Sequence, residues 1–372
     1  MTDLHRYHRQ MLLPGIGETG QRRIRAAHVL VVGCGALGTA IADGLARAGV
    51  GTLTIVDRDF VEITNLQRQV LFDETDVASG LPKAEAARRK LARINHEVVV
   101  HAHVADFNHR NAARLAAGAE VIVDGLDNFE TRYLLNDLAV RDGRPYVYGG
   151  AVATTGLSMT VLPWPGAGAG AGTGAGRGGA AWGASESTPC LRCVFPEAPP
   201  PGSSPTCDTA GVLGPAVTMV AAHQVAQTLK LLVGRVDAVD RGLLSLDVWT
   251  NVVQRFDVSG ARNPDCECCG ARTFAYLDGR AGSGATTLCG REAVQITPAA
   301  DHRLDLAGIA AQLAAHGTFT VNEFLVRGVL RDERGGSGAP VELTVFPDGR
   351  AIVKGITDVD AARAVYARYV GA

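Results

Sequence analysis

Two pairs of cysteines are the residues in this chain whose types and spacing most directly suggest chemistry. Cys190 and Cys193 form one C-x-x-C pair, and Cys266 and Cys269 form the other. Four thiolates at such spacings make a closed tetrahedral zinc site, and zinc without an open coordination position has a structural role. Cys268 could compete as a ligand, but Cys269 has the better spacing. The cysteines therefore predict one structural Zn²⁺ ion that joins two segments far apart in the sequence.

A glycine-rich turn provides a second candidate site, in this case for a nucleotide. Residues 33–38 (GCGALG) fit the pattern G-x-G-x-x-G and follow the apolar run 29–32. The first glycine of this pattern permits a tight bend, the second lets the backbone approach a phosphate or ribose, and the third lets helix and strand pack closely. Asp57 ends the next apolar run. In nucleotide-binding folds with this glycine pattern, an acidic residue at this place binds a hydroxyl group of the ribose. The turn predicts a nucleotide site without specifying the nucleotide.

Polar side chains follow other predicted strands. Segment 61–69 (VEITNLQRQ) is dense in side-chain donors, and Lys83 lies near the start of a predicted helix. Arg68 and Lys83 are suited to phosphate, the first as a planar fork and the second as a point charge. Asp127 beside Asn128 is suited to Mg²⁺, which takes few protein carboxylates together with phosphate oxygens.

Cys207 stands alone before a long predicted helix. A thiolate near a helix N-terminus is more nucleophilic than an ordinary thiol. No histidine stands beside Cys207 in the sequence, so an idle thiol is the alternative interpretation.

The elements that must position these residues follow a regular alternation. Apolar strands and helices alternate as βαβαβαβ over residues 29–148, which predicts a doubly wound, Rossmann-like and mostly parallel sheet. Strands 157–162, 243–246 and 252–258 then predict an antiparallel continuation. Between them, residues 165–187 are a low-complexity Gly/Ala run that predicts a mobile loop.

We expect two domains. Residues 1–270 form an α/β domain with the nucleotide site and the zinc cysteines, 271–287 form a linker, and 288–372 form a small α+β domain of unknown role. In the second domain a hairpin turns at 347–350, and Asp305 and Asp358 begin helices.

Composition excludes several classes of protein. The net charge of −2 provides no basic surface for nucleic acid. The N-terminus lacks the apolar region of a signal peptide, and polar residues interrupt the most apolar helix, 215–233, which predicts a core helix rather than a membrane span. We therefore expect a cytoplasmic protein with reduced cysteines.

Taken together, these motifs resemble the ThiF/MoeB/HesA family, bacterial relatives of the ubiquitin-activating enzymes. The resemblance covers about residues 5–270 and rests on segments 6–10, 33–38, 57–59, 65–69, 82–83, 127–128 and 207–215 and on both C-x-x-C pairs. It implies ATP-dependent adenylation of the C-terminal glycine of a small ubiquitin-like sulfur carrier protein that ends in Gly-Gly. The adenylated carrier is then ready for sulfur transfer in the synthesis of thiamine, molybdopterin, thiolated tRNA or another sulfur compound.

The resemblance also implies residue roles. Backbone groups of Gly35 and Ala36 contact ATP, Asp57 holds the ribose, and Asp127 positions Mg²⁺. Asn65, Arg68 and Lys83 contact phosphates. Arg9 reaches the phosphates of the partner subunit in a homodimer, and Cys207 matches the position that links covalently to the carrier in ThiF-like members. The full expected nucleotide-binding set is Gly33, Gly35, Ala36, Gly38, Asp57, Asp59, Thr64, Asn65, Leu66, Gln67, Arg68, Gln69, Lys83, Asp127 and Asn128.

Three features depart from the family pattern. Position 36 is Ala where members often have Gly, which a backbone contact tolerates. The Gly/Ala insertion is unusually long, and the tail after about 288 is absent from the shortest members and lacks a rhodanese-type loop. A cysteine desulfurase or another sulfur donor is a further expected partner.

Three alternatives to this function stay open, namely an NAD-dependent oxidoreductase with structural zinc, a non-catalytic partner subunit and a related adenylating enzyme that acts on tRNA.

Overall fold

The computed structural model describes residues 4–164, 182–197, 210–281, 285–288, 292–297, 304–335 and 338–370. Contacts within the chain divide it into two units, residues 1–281 and residues 282–372. Each unit has its own sheet and its own buried apolar core.

One sheet organises the first unit. Its strands are β1 His28–Val32, β2 Thr52–Asp57, β3 Val99–Val104, β4 Val121–Asp124, β5 Tyr146–Val152, β6 Thr155–Val161, β7 Leu243–Asp247 and β8 Val252–Phe256. They pair in the order β3-β2-β1-β4-β5-β6-β7-β8. Strands β1 to β5 pair in parallel and β6 to β8 add antiparallel neighbours, which confirms the predicted fold class.

Helices cover both faces of this sheet. They are α1 His8–Met11, α2 Gly17–Ala26, α3 Ala36–Ala48, α4 Glu74–Ala78, α5 Lys83–Ile94, α6 Ala112–Leu115, α7 Phe129–Asp142, α8 Leu191–Val194 and α9 Gly214–Leu232. Val29 and Val31 of β1 lie in the core shared with α3 and α9, whereas Leu30 and Val32 lie in the core shared with α7. Both faces of β1 are therefore buried, which explains its unbroken apolar sequence.

Helix α9 is the predicted core helix. Its buried face includes Gln224, Gln227 and Thr228 beside apolar residues. Across the described ranges, no helix combines the length and the apolar character needed to cross a membrane.

Two segments that the sequence assigns to a loop and to a linker contain residues that contact the rest of the first unit. Residues 165–181 of the predicted mobile loop lie outside the described residues, but Trp182 donates a hydrogen bond from Nε1 to the carbonyl of Pro163 at 2.9 Å. In the predicted linker, Leu277 is buried and the Tyr276 N–H donates to Asp137 Oδ2 at 3.0 Å. The first unit therefore extends to residue 281 because a carboxylate on α7 binds this segment.

The second unit contains strands β9 Ala285–Leu288, β10 Ala293–Ile296, β11 Gly317–Val321, β12 Val326–Arg334, β13 Pro340–Val345 and β14 Ala351–Lys354, with helices α10 Leu306–Leu313 and α11 Val359–Tyr369. The strands form an antiparallel sheet in the order β11-β12-β13-β14-β10-β9. Asp305 and Asp358 accept hydrogen bonds from Ala307 and Ala361 at the starts of the two helices, as predicted. Strands β9 and β11 were not predicted, and exposed residues dominate β11, which leaves no clear apolar pattern.

Candidate active site and metal centre

The three glycines of the 33–38 turn differ in their surroundings. Gly33 has a φ of +87°, and a Cβ there would lie 2.5 Å from the carbonyl oxygen of Gly125. A Cβ on Gly38 would lie 1.9 Å from the carbonyl oxygen of Gly33. A Cβ on Gly35, by contrast, would meet only Gln69 Nε2 at 3.9 Å. Packing requires Gly33 and Gly38, whereas Gly35 leaves open space at the start of α3.

That open space lies at a helix N-terminus without a side-chain cap. Gly35 is the N-cap of α3, and no side chain accepts a hydrogen bond there. The first N–H groups of a helix have no partner within the helix, and they attract anions such as phosphate. The expected backbone contacts of Gly35 and Ala36 with a nucleotide fit this geometry.

Asp57 ties the end of β2 to the glycine turn. Its Oδ2 accepts from the Cys34 N–H at 2.6 Å, and its Oδ1 accepts from the Asp59 N–H at 2.7 Å. Burial raises the pKa of the Asp57 carboxyl, and the positive charge of Lys83 acts against that rise. The two backbone bonds fix the carboxylate at the edge of the sheet beside the turn.

Lys83 is almost fully buried, with 3% of its surface exposed. Its Nζ lies 3.2 Å from Asp59 Oδ2, and its backbone N–H donates to the Asp59 carbonyl at 2.8 Å. As the first residue of α5, Lys83 is held at the same sheet edge as Asp57. The structure thus brings together Asp57, Asp59 and Lys83, which the sequence had assigned to one site.

The segment after β2 contains several of the residues that the sequence assigns to the nucleotide site. Asn65 is buried, and its Oδ1 accepts from the Glu62 N–H at 3.1 Å, which shapes the short 3-10 helix Ile63–Asn65. Arg68 donates from Nη1 to the Thr64 carbonyl at 2.9 Å. Thr64 and Gln67 are exposed and Leu66 is half-buried.

Gln69 supplies a feature that fits a bound ligand. The side chain is 3% exposed, and its buried Oε1 has no hydrogen-bond partner in the part of the chain that the structure describes. A buried acceptor without a partner costs about 1–3 kcal/mol. Because Gln69 Nε2 faces the space above Gly35, a nucleotide there lies within reach of this amide.

Asp127 and Asn128 lie at the end of β4, before α7. Asn128 caps α7 by accepting from the Thr131 N–H at 2.9 Å, and its Nδ2 donates to Asp127 Oδ1 at 3.3 Å. Asp127 is exposed, so its carboxylate is accessible to a cation and to substrate. This arrangement fits the expected magnesium position.

Arg58 is a residue of this edge that the sequence analysis missed. Its Nη1 lies 2.8 Å from Asp106 Oδ1, and its Nε lies 3.9 Å from Asp59 Oδ1. Burial alone would lower the pKa of Arg58, but Asp106, Asp59 and Asp127 outweigh burial and raise it. Its position between two acidic residues in the sequence is the feature that could have identified Arg58.

A second missed residue, Arg132, lies behind Asp127. It is 6% exposed and donates from Nη2 to the carbonyls of Leu126 at 2.7 Å and Gly149 at 3.0 Å. Its Nε lies 3.3 Å from Asp124 Oδ2. Arg132 therefore joins the ends of β4 and β5 below the candidate site, and nothing in the local sequence marked it for this position.

The remaining two predicted catalytic residues are Arg9 and Cys207. Arg9 is exposed on α1, whose neighbour Gln10 donates to the carbonyl of Ala48 at the far end of α3. Helix α3 spans 13 residues, or about 20 Å, so Arg9 lies far from the glycine turn of its own chain. Cys207 lies outside the described residues.

The four predicted zinc ligands converge on one point. The sulfur atoms of Cys190, Cys193, Cys266 and Cys269 all lie within 4.8 Å of one another. Three of the separations are 3.8 Å for Cys190–Cys193, 3.7 Å for Cys190–Cys266 and 3.4 Å for Cys193–Cys269. Tetrahedral Zn–S bonds of about 2.3 Å place sulfurs about 3.8 Å apart, so the donor set fits zinc. Cys268 is not a member of the group.

Comparison with known proteins identifies relatives of this chain. The ThiF family model matches residues 7–268. The "Sulfur carrier protein ThiS adenylyltransferase" of Bacillus subtilis is 38% identical over 367 residues, which cover 98% of this chain and 99% of the relative. The "Sulfur carrier protein adenylyltransferase" of Thermus thermophilus is 38% identical over 72% of this chain and 91% of its own length.

A solved structure of Escherichia coli MccB with ATP shares the fold. It superposes with a TM-score of 0.56 at 23% identity and covers 72% of this chain and 75% of that chain. At this identity the likeness concerns the fold alone.

Proposed function

The chain belongs to the ThiF family, and from that premise we propose that it adenylates the C-terminal glycine of a ubiquitin-like sulfur carrier protein with ATP. The observation that carries the proposal is the single sheet edge that gathers the glycine turn, Asp57, Lys83 and the Gln69 amide, whose Oε1 has no partner among the described residues. The Bacillus subtilis relative matches both units of the chain, which favours a ThiS-like carrier.

The reaction joins two anions. A carboxylate oxygen of the carrier forms a bond to the α-phosphorus of ATP, the bond from that phosphorus to the bridging oxygen breaks, and pyrophosphate leaves with the electron pair. The protein therefore has to align the reactants and neutralise negative charge, rather than supply a nucleophile.

The chain's own groups meet these two needs. The N-terminus of α3 attracts phosphate, Asp57 orients the ribose, and the Gln69 amide meets the nucleotide beside Gly35. Lys83 and Arg68 provide positive charge for the phosphates. Asn65 shapes the segment that carries Arg68.

We assign Mg²⁺ to Asp127, where it would neutralise phosphate charge and orient the leaving group. Zn²⁺ belongs to the four-cysteine cluster, where it would join the segment at α8 to the segment after β8 and have no part in the chemistry.

Arg9 acts in this proposal on the partner subunit of a homodimer. Its support is the distance of about 20 Å along α3 between the helix that carries Arg9 and the glycine turn of the same chain. An arginine supplied across a symmetric interface would complete both sites of the dimer.

Cys207 acts after adenylation, when the activated glycine receives sulfur. A cysteine desulfurase or another sulfur donor then supplies the sulfur atom. We place the enzyme in the cytoplasm, since its metal thiolates have to stay reduced.

Exchange of radiolabelled pyrophosphate into ATP tests this function. We expect exchange only with ATP, Mg²⁺ and a carrier that has an intact Gly-Gly end. Arg68→Ala, Lys83→Ala and Asp127→Ala should each lower exchange at least about 100-fold, because each removes stabilisation of the phosphates in the transition state. Arg47→Ala is the matched control, since Arg47 is exposed on α3 and pairs with Asp43 at the surface of that helix.

Cys207→Ala should leave exchange nearly unchanged, because adenylation precedes any thiol chemistry. Binding of NAD without exchange for any Gly-Gly carrier would overturn the proposal in favour of an oxidoreductase.

A further inference from the structure

Asn136 lies in the middle of α7 and is completely buried. Its Oδ1 accepts from the Leu191 N–H at 2.8 Å, and its Nδ2 donates to the Cys268 sulfur at 3.1 Å. The amide orientation is determined, since a backbone N–H can only donate and therefore has to face the side-chain oxygen.

These two partners lie inside the two cysteine pairs. Leu191 follows Cys190 directly, and Cys268 stands between Cys266 and Cys269. One amide on a helix thus contacts both metal-binding segments, which are 76 residues apart along the chain at Cys190 and Cys266. Cys268 is 0% exposed and is not a member of the metal-binding group, so a role as the acceptor of this bond accounts for its position.

The neighbouring residue extends the same contact surface. Asp137 Oδ2 accepts from the N–H groups of Tyr276 at 3.0 Å and Leu277 at 3.4 Å. On the preceding turn, the Tyr133 hydroxyl donates to the Phe195 carbonyl at 2.9 Å. Helix α7 therefore holds the backbone that leads away from each cysteine pair, and the Asn136 amide reaches the Cys268 sulfur itself.

We propose that Asn136 is a positioning residue for the zinc centre. It is not one of the four ligands, but its two hydrogen bonds hold the two cysteine pairs in register. Hydrogen bonds to groups beside a metal orient its ligands, and their loss typically weakens metal binding about 10- to 100-fold. The proposal rests on the zinc centre of the proposed function and is independent of adenylation.

The rate of zinc release from the purified full-length protein tests this inference. Metal analysis first establishes one Zn²⁺ per chain, and a chromophoric chelator in excess then reports its release. We expect Asn136→Ala to release zinc about 10- to 100-fold faster than the wild type. Asn136→Asp keeps the acceptor for Leu191 but loses the donor to Cys268, and it should release zinc faster as well.

Asn95→Ala is the matched control. Asn95 is also buried, at 1% exposed, and donates to the Tyr7 hydroxyl and the Ala46 carbonyl, both at 2.8 Å. Its loss should destabilise the first unit without a change in zinc release. Equal acceleration by Asn95→Ala would show a general loss of stability and would overturn the proposal.

Cys268→Ala provides a second variant that keeps all four ligands and the Asn136 amide. It should accelerate zinc release, and adding Asn136→Ala to it should have less effect than Asn136→Ala alone, because the two residues share one bond. If Asn136→Ala does not fold and Cys268→Ala releases zinc at the wild-type rate, the proposal is wrong. Pyrophosphate exchange is a separate measurement, so failure of this proposal is distinguishable from failure of the proposed function.

Discussion

At the scale of single residues, Gly35 and Gly38 belong to one motif for different physical reasons. A methyl group on Gly38 would overlap the carbonyl oxygen of Gly33, whereas a methyl group on Gly35 would enter open space next to Gln69. The fold requires a glycine at position 38, whereas the proposed ligand requires one at position 35.

We therefore expect Gly38→Ala to lower the free energy of unfolding by about 1–3 kcal/mol through overpacking. Gly35→Ala should change it by less than about 1 kcal/mol but raise KM for ATP in the exchange assay, because its methyl group occupies the space of the nucleotide. Urea denaturation and exchange kinetics separate the two effects. Equal loss of stability in both variants would contradict this account of the turn.

At the scale of elements, strands β1 and β3 bring half-buried histidines onto the sheet. His28 lies on β1 with its Nε2 2.8 Å from Thr54 Oγ1, and burial lowers its pKa, with His101 acting in the same direction. His103 lies on β3, and burial, Arg114 and His101 lower its pKa. Both rings favour the neutral form in the folded protein.

The unfolded chain binds protons at these histidines below about pH 6.5, whereas the folded chain resists them until lower pH. We expect the free energy of unfolding to fall as the pH drops from 7 towards 5. The double variant His28→Gln/His103→Gln should flatten this slope, while replacement of the exposed His96 by Gln should not. Denaturation midpoints across this range measure the effect, and an unchanged slope in the double variant would contradict it.

At the scale of the whole molecule, the proposed active site needs two chains. Arg9→Ala and Lys83→Ala should each abolish exchange. Random mixing of the two variants makes half of the dimers mixed, and each mixed dimer has one intact site if Arg9 acts on its partner. We expect a mixture to regain about one quarter of the wild-type activity on this reasoning.

A mixture of Arg68→Ala with Lys83→Ala is the control for this complementation. The proposed function assigns both residues to the nucleotide site of their own chain, so on that proposal every site in the mixed dimer lacks one of them. It should stay inactive, and recovery in this control, or its absence in the Arg9 mixture, would argue against an arginine that acts across the interface.

The division into two units leads to a further expectation. The second unit has its own sheet and core, and the candidate site and the cysteine cluster lie within the first. A chain that ends at residue 281 should fold and keep adenylation, whereas one that ends at 270 should lose stability because it lacks Leu277 and its contacts. Thermal unfolding and exchange test both truncations. Loss of exchange in a folded 1–281 chain would assign the second unit a part in the reaction.

Local patterns in the sequence were sufficient for much of this protein. The apolar runs of β1 and β4, the glycine turn and the two C-x-x-C pairs are short-range features, because strand burial, a tight bend and chelation each depend on neighbouring positions. They predicted the parallel sheet and the candidate nucleotide and zinc sites. The resemblance to the ThiF family rested on the glycine turn, the two C-x-x-C pairs and other short segments such as 65–69 and 127–128.

Only the tertiary structure decided which distant residues meet. Arg58 with Asp106, Arg132 with Gly149, and Asn136 with Cys268 are pairs that no periodicity reveals, because each depends on how a helix or strand packs against another. The end of the first unit at residue 281 has the same origin, since Leu277 becomes a core residue through its contact with α7. Spacing along the chain determines local geometry, whereas burial and charge pairing are determined where elements far apart in the sequence pack together.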